Sequence, residues 1–200
     1  MEFRNLILDS VNVINYFFRV DKITFDGEEY TMSVLSDKDI LERWEELFPY
    51  TDELLACLQN RVQPASVDLS LNRVVKTIDG ETFCLNEKNM YVLQPGEFIL
   101  GSTVEYVNVP HDLVARVEGR SSIGRLGVMV HVTAGYIDPG FMGNLTLELF
   151  NCSDKPFQLN FGDCLCQIVF ETLSSPCKHP YEGKYQGDVG VVSSRWGLEK

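Results

Sequence analysis

The sequence predicts a mainly β domain of the sandwich, jelly-roll or barrel type, preceded by short helices. From Val62 onward, apolar and polar residues alternate in short segments, as in strands that bury one face. Turn signals such as Asp79-Gly80, Pro95-Gly96 and Pro139-Gly140 separate these segments. Many short strands with turns between them indicate an all-β architecture.

The chain divides into three predicted regions. Residues 1–31 are an N-terminal extension of unknown role, residues 32–175 are the β domain with its helices, and residues 176–200 are a glycine-rich polar arm. We expect the arm to be mobile, because so polar a segment buries little apolar surface. Met32 stands at the first boundary and is a candidate alternative start of translation.

A helix is predicted to begin after Ser36, a favourable N-cap that is followed by Asp37 and Asp39. Pro49 ends this helix. A second short helix is predicted for TDELLACLQN, residues 51–60. The apolar stripe of the first helix consists of Ile40, Leu41, Trp44, Leu47 and Phe48.

Six segments after the helices have the alternation of half-buried strands. In the fifth, period two places Leu145, Leu147 and Leu149 on the core face and Glu148 on the opposite face, beside Thr146. The six segments are ASVDLSL (65–71), EFILGSTVEYVNV (97–109), LVARVEG (113–119), GVMVHVT (127–133), NLTLELF (144–150) and FQLNF (157–161).

Composition limits the possible partners. A net charge of −12, from 29 acidic and 17 basic side chains, disfavours an extended surface for nucleic acid or an anionic membrane. The six cysteines form no C-x-x-C pair, and we find neither a secretory signal nor a membrane-spanning apolar run. We therefore expect a cytoplasmic protein with reduced thiols.

One stretch of this acidic chain concentrates cations and hydroxyls. In GRSSIGR, Arg120 and Arg125 bracket Ser121 and Ser122. Guanidinium forks, hydroxyls and backbone N–H groups suit phosphate oxygens. The alternative is a turn with two surface arginines, and the spacing does not match the P-loop pattern.

Missing partner residues disfavour a nucleophilic serine site and exclude a zinc deaminase site. No G-x-S-x-G elbow for a nucleophilic serine is present. A zinc deaminase needs an H-x-E or C-x-E motif and a later P-C-x-x-C, but His131 is followed by Val132 and Thr133. Any deamination would therefore activate water without zinc. Glu148 is a candidate general base, and a solvated strand face is its plain alternative.

The same segments, in order, resemble the dCTP deaminase family of the trimeric dUTPase superfamily. The matching stretches are VLSDKDI, QPASVDLSL, the run from Leu93 to Phe141, GNLTLELFN and HPYEGKYQG. The resemblance extends from about Met32 to Arg195. It implies a distorted jelly-roll β-barrel, a homotrimer and nucleotide sites between neighbouring subunits.

The resemblance also implies the ligands. The substrate would be dCTP, with Mg²⁺ bound to its triphosphate rather than in a protein cage, and no zinc. Uridine nucleotides would be the products, and dTTP would be a feedback inhibitor. No nucleic acid or membrane partner is expected.

By the family pattern, Glu148 activates the water that attacks cytosine C4, while Ser121 and Arg125 position that water. Backbone groups around Ala134 hold the base, and Asp138 accepts the deoxyribose 3′-hydroxyl. Further nucleotide contacts are assigned to Arg120, Ser122, Ile123, Gly124, Phe141, Thr146, Leu147, Gln167, Tyr181, Lys184 and Gln186.

The family has a branch that releases dUTP and a branch that also cleaves the α–β phosphate bond to give dUMP and diphosphate. Here TAGYID contains Gly135 shortly before Asp138, which favours the second branch by leaving room for a second water. Asp188 departs from the pattern, because relatives often have glutamine there. A deaminase that releases only dUTP, a plain dUTPase, a non-catalytic nucleotide-sensing trimer and a purely structural β protein are the alternatives.

Overall fold

The computed structural model describes residues 23–25, 28–30, 33–50 and 58–197. Met32 and the 51–57 part of the second predicted helix lie outside these residues. The helices are α1 (Asp37–Glu42), α2 (Trp44–Leu47) and α3 (Ser121–Gly124), with a 3₁₀ helix at Leu58–Arg61.

The described strands, in chain order, are β1 (Ile23–Phe25), β2 (Glu28–Tyr30), β3 (Val62–Gln63), β4 (Ser66–Ser70), β5 (Val74–Thr77), β6 (Thr82–Cys84), β7 (Tyr91–Leu93), β8 (Phe98–Asn108), β9 (Leu113–Gly119), β10 (Val128–Met129), β11 (Tyr136–Ile137), β12 (Met142–Asn151), β13 (Phe157–Leu159) and β14 (Cys164–Thr172). The prediction of a mainly β protein is confirmed.

The helical region begins as predicted but is divided in two. Ser36 caps α1 in a capping box with Asp39. The helix then breaks at Arg43, whose guanidinium forms a bidentate pair with Asp112, at 2.7 and 2.9 Å. This pair fixes the helices to the loop before β9.

The predicted apolar stripe is confirmed at four of its five positions, which pack on the barrel. Leu41 is the exception, because 46% of its surface is exposed. The buried positions keep the i, i+4, i+7, i+8 spacing of one helical stripe across the break, and Leu41 lies at the edge of that stripe. The buried positions are Ile40, Trp44, Leu47 and Phe48.

Two antiparallel five-stranded sheets dominate the described residues, in the orders β10-β12-β8-β5-β6 and β11-β9-β14-β4-β3. The two smaller pairs are β1-β2 and β13-β7. Side chains from both large sheets and from α1 and α2 join one hydrophobic core. On β12, Leu145, Leu147 and Leu149 are buried, whereas Glu148 is only half-buried, as the alternation predicts.

The strand predictions fail for GVMVHVT, and they leave out several described strands, among them the short β5, β6, β7 and β11. GVMVHVT forms only the two-residue β10, after which the chain leaves the sheet at Val130. The longer strand β14 was also missed, although it lies between β9 and β4 and none of its residues is exposed. Its sequence, CLCQIVFET, is nearly continuous in apolar residues, so the alternation that marks half-buried strands is weak.

The described part of the arm, 176–197, contains no helix or strand but lies against β12. The Gly187 N–H donates to the Met142 carbonyl at 2.8 Å, and the Asn144 N–H donates to the Asp188 carbonyl at 2.9 Å. Gly140 has a φ of 88°, and a Cβ there would lie 2.5 Å from Pro180. Only glycine allows this close approach of the arm.

Within the described ranges, no helix combines the length and apolar character needed to cross a membrane.

Candidate active site

The predicted phosphate-binding residues line one cavity of about 520 Å³. Arg120, Ser121 and Ser122 enter it from the start of α3, immediately after β9. Gln167 enters it from the neighbouring strand β14. The structure therefore brings together two sets of residues that are more than forty positions apart in the chain.

The polar face of β4 also lines this cavity, although the sequence did not predict it. Asp68 is almost fully buried, and one of its carboxylate oxygens lies 3.3 Å from Nη2 of Arg120. Ser66 donates to Oε1 of Gln167 at 2.9 Å. These contacts fix the guanidinium and the amide at the cavity wall. The signal was present in ASVDLSL, where Ser and Asp alternate with core residues.

The turn after Arg120 separates residues that are close in sequence. The Ile123 side chain packs against the core, whereas Gly124 is exposed. Arg125 lines a different cavity, of about 440 Å³, together with Ser153 and Lys155. One helical turn thus directs Arg125 away from the cavity that contains Arg120.

Glu148 lines another cavity, of about 580 Å³. Ala134 and Thr146 share it, and Phe98 and Leu100 supply apolar wall. The arm covers part of this cavity with Tyr185 and residues 192–194. The predicted water activator and the predicted base-binding loop therefore meet in one partly apolar pocket.

Backbone hydrogen bonds fix the Glu148 carboxylate. Its Oε2 accepts from the N–H of Val132 at 2.8 Å and from the N–H of Thr133 at 3.4 Å. The Glu148 N–H donates to the Val130 carbonyl at 3.0 Å. Residues 130–133 thus curve around the side chain. Oε1 makes no hydrogen bond among the described residues and is available to a water molecule.

Gly135 follows this curved segment for a packing reason. A Cβ on Gly135 would lie 2.9 Å from the Val117 carbonyl oxygen and 3.0 Å from the His131 ring. The space beside its Cα is therefore filled by the chain itself. This finding offers a different reason for glycine from the predicted room for a second water.

The arm brings Tyr181 and Gln186 to the loop that follows β11. The Tyr181 ring meets that of Phe141 edge to face, with centroids 5.9 Å apart. Gln186 accepts from the Met142 N–H and donates to the Gly140 carbonyl. Asp138 lies in the same loop and is exposed.

The side chains of two residues that were predicted to contact the nucleotide are engaged elsewhere in the protein. The Leu147 side chain is buried in the core, so only its main chain can contact a nucleotide. The Lys184 ammonium donates to the Arg195 carbonyl at 2.6 Å, so it is occupied within the arm.

The fold defines a mainly β protein built from two large antiparallel sheets, and comparison with family models identifies its family. A family model described as dCTP deaminase-like matches residues 34–173. The chain belongs to this family.

Curated relatives match over most of the chain. The protein named "dCTP deaminase, dUMP-forming" from Methanosphaera stadtmanae is 43% identical over 191 residues, covering 82% of this chain and 94% of the relative. Its namesake from Methanothermobacter thermautotrophicus is 44% identical over 187 residues, with the same coverage of both chains.

A solved structure shares the fold. The 2′-deoxycytidine 5′-triphosphate deaminase from Agrobacterium tumefaciens aligns with a TM-score of 0.59 and 23% identity, over 72% of this chain and 49% of that one. The predicted fold of the dUTPase-like jelly-roll type is confirmed.

Proposed function

We propose that this protein deaminates dCTP at cytosine C4 and then hydrolyses the dUTP that it forms to dUMP and diphosphate. The observation that carries the proposal is the Glu148 carboxylate, which is held by the Val132 N–H beside Ala134 in a pocket. The names of the relatives that are 43–44% identical support the substrate and the product.

In the first reaction, Glu148 takes a proton from water as the oxygen attacks C4. The exocyclic amine becomes the leaving group of the tetrahedral intermediate. Glu148 returns the proton to this nitrogen and ammonia departs. The hydroxyl proton of the intermediate ends on ring N3 as the C4 carbonyl forms, which gives the uracil base. The backbone around Ala134 holds the base and stabilises charge in the intermediate, and it needs no reorganisation because the loop is already hydrogen-bonded.

In the second reaction, water attacks the α-phosphorus and diphosphate leaves. Asp138 is the candidate to orient this water, since its carboxylate is exposed in the loop beside Phe141. The hydroxyls of Ser121 and Ser122 and the guanidinium of Arg120 would hold the phosphates. The Asp68 contact keeps this guanidinium at the cavity wall.

The proposal includes a homotrimer whose sites combine two subunits. In one chain, Arg125 and Glu148 line different cavities, although both are assigned to one reaction centre. A head-to-tail ring joins one surface of each subunit to a different surface of the next. Such an interface would let Arg125 of one subunit approach Glu148 of its neighbour.

Mg²⁺ is proposed to bind with the nucleotide. Among the described residues, no three His, Cys, Asp or Glu side chains form a group that could hold a metal. The hydroxyl- and amide-lined cavity at Arg120 fits a triphosphate whose own oxygens supply most ligands. Bound there, Mg²⁺ would neutralise phosphate charge, and Arg120, Ser121 and Ser122 would hold the phosphate oxygens.

The test is incubation with dCTP and Mg²⁺, followed by nucleotide separation and an ammonia assay. Equimolar dUMP, diphosphate and ammonia are expected. Accumulation of dUTP would show that the protein catalyses only the deamination, and unchanged dCTP would favour a nucleotide-sensing trimer. Turnover of dUTP alone would identify a plain dUTPase. Adding dTTP to the same assay tests feedback inhibition.

A further inference from the structure

Arg195 closes a loop in the arm, because both its guanidinium and its main-chain N–H contact residues earlier in the arm. Its Nη2 lies 2.9 Å from Oδ1 of Asp188, and its Nη1 donates to the Lys184 carbonyl. Its main-chain N–H donates to the Tyr185 hydroxyl at 3.0 Å. Residues 184–195 therefore form a closed loop without any helix or strand.

The ion pair in this loop is shielded from water. The Asp188 side chain is only 10% exposed and that of Arg195 is 34% exposed. Removing Arg195 would leave the largely buried Asp188 charge without compensation, which costs more than breaking an exposed pair. The carboxylate faces Arg195, so it does not oppose a bound phosphate.

The closed loop lies over the Glu148 cavity. The main chain of Asp188 accepts from the Asn144 N–H, and the Val192 N–H donates to Oγ1 of Thr146 at 3.4 Å. Between these anchors and Arg195, residues 192–194 form part of the cavity wall. The position of this wall therefore depends on how the loop is closed.

We propose that Asp188 and Arg195 form a clasp that fixes residues 192–194 as a wall of the substrate pocket before the nucleotide binds. Both are positioning residues, since they act through residues 192–194. The predicted effect of the clasp on dCTP binding rests on the proposed function.

Breaking the clasp leaves the wall to be ordered by the substrate, so binding weakens while the chemical step is kept. For Asp188→Asn and for Arg195→Gln, the KM for dCTP is expected to rise about fivefold with kcat unchanged. The double variant should be no worse than either single variant, because both remove one interaction. Arg195→Lys should recover part of the loss, since it keeps the charge.

Fluorescence tests the clasp independently of catalysis. Of the two tryptophans, Trp44 is buried and Trp196 is 91% exposed beside Arg195. Nanosecond anisotropy decay without nucleotide should show a larger fast component in Asp188→Asn and Arg195→Gln than in the original protein. Arg43→Gln, which breaks an ion pair between α1 and the barrel, is the matched control and should change neither KM nor the fast component.

The outcomes separate the two proposals. If the original protein leaves dCTP unchanged, the proposed function fails, and anisotropy alone decides the clasp. If the protein is active but both clasp variants keep its KM, or if their anisotropy decay equals that of the original protein, the clasp is overturned.

Discussion

The Val132 N–H donates a 2.8 Å hydrogen bond to the Glu148 carboxylate and joins the strand β12 to the loop that leaves the sheet after β10. An acceptor at this position keeps the loop in place. A carboxylate can accept this hydrogen bond with one oxygen and take a proton from water with the other. A substitution that keeps the acceptor but cannot take the proton therefore separates the role of Glu148 in holding the loop from its role in proton transfer.

Glu148→Gln should abolish deamination and preserve dCTP binding. Glutamine keeps an acceptor for Val132 but cannot carry the proton, so kcat should fall about a thousandfold or more. Ammonia release measures the loss, and calorimetric titration with dCTP measures binding. Appreciable ammonia release by this variant would contradict the assigned role.

Asp138→Asn should separate the two reactions. An amide can still accept a hydrogen bond but orients the second water less strongly, so diphosphate release should fall about a hundredfold while deamination continues. Chromatography should then show accumulated dUTP. Glu87→Gln, in an exposed turn between β6 and β7, is the control and should form dUMP normally.

Gly135→Ala should destabilise the protein. Its methyl group would lie 2.9 Å from the Val117 carbonyl, and moving this backbone costs about 1–3 kcal/mol in the free energy of unfolding. Gly119→Ala is the control, because its methyl group would meet Val130 at an ordinary 3.4 Å. Thermal unfolding measures both variants.

The products that Gly135→Ala forms also show why glycine occupies position 135. A stable Gly135→Ala protein that releases dUTP instead of dUMP would support the room for a second water and contradict the packing explanation.

Alternation predicted the part of the site that lies on regular strands. It placed Glu148 opposite the core leucines because β12 has one buried and one partly exposed face. It failed for β4, where Asp68 and its polar neighbours are buried as fully as the apolar residues. A residue whose partner lies at the end of a distant strand, as Asp68 is paired with Arg120 after β9, has no local signature, since the two are more than fifty positions apart in sequence.

The arm shows the same limit. Its glycines and polar residues predicted mobility, but its position against β12 depends on main-chain hydrogen bonds, which leave no side-chain pattern in the sequence. The motif resemblance identified the contact residues Tyr181 and Gln186, whereas the Arg195 contact with Asp188 could be found only from the structure.

The Arg43–Asp112 pair should make stability depend on pH. The Arg43 hydrogen bond lowers the pKa of Asp112, so the folded state favours the charged carboxylate. Its contribution is present above the unfolded pKa of about 3.9 and is lost as the pH falls through the lower folded pKa. Arg43→Gln should therefore reduce the free energy of unfolding by about 1 kcal/mol at pH 7, discounted for exposure, and by progressively less on acidification.

Urea unfolding between pH 7 and pH 3 measures this difference. The control is Lys38→Gln, because Lys38 and Glu42 form an exposed pair at 3.7 Å that should contribute almost nothing. A loss for Arg43→Gln that stays constant down to pH 3 would exclude ionisation of Asp112 as its source.

Subunit mixing tests whether one site is built by two chains. Arg125 and Glu148 line different cavities of one chain, so we expect each to complete a site with a neighbouring subunit. Arg125→Ala and Glu148→Gln should each be inactive as pure oligomers. Random co-assembly of equal amounts of the two variants should restore about a quarter of the sites. A working site needs an intact Arg125 from one subunit and an intact Glu148 from its neighbour. Preformed oligomers that are combined without subunit exchange should stay inactive, and inactivity after co-assembly would place the whole site in a single chain.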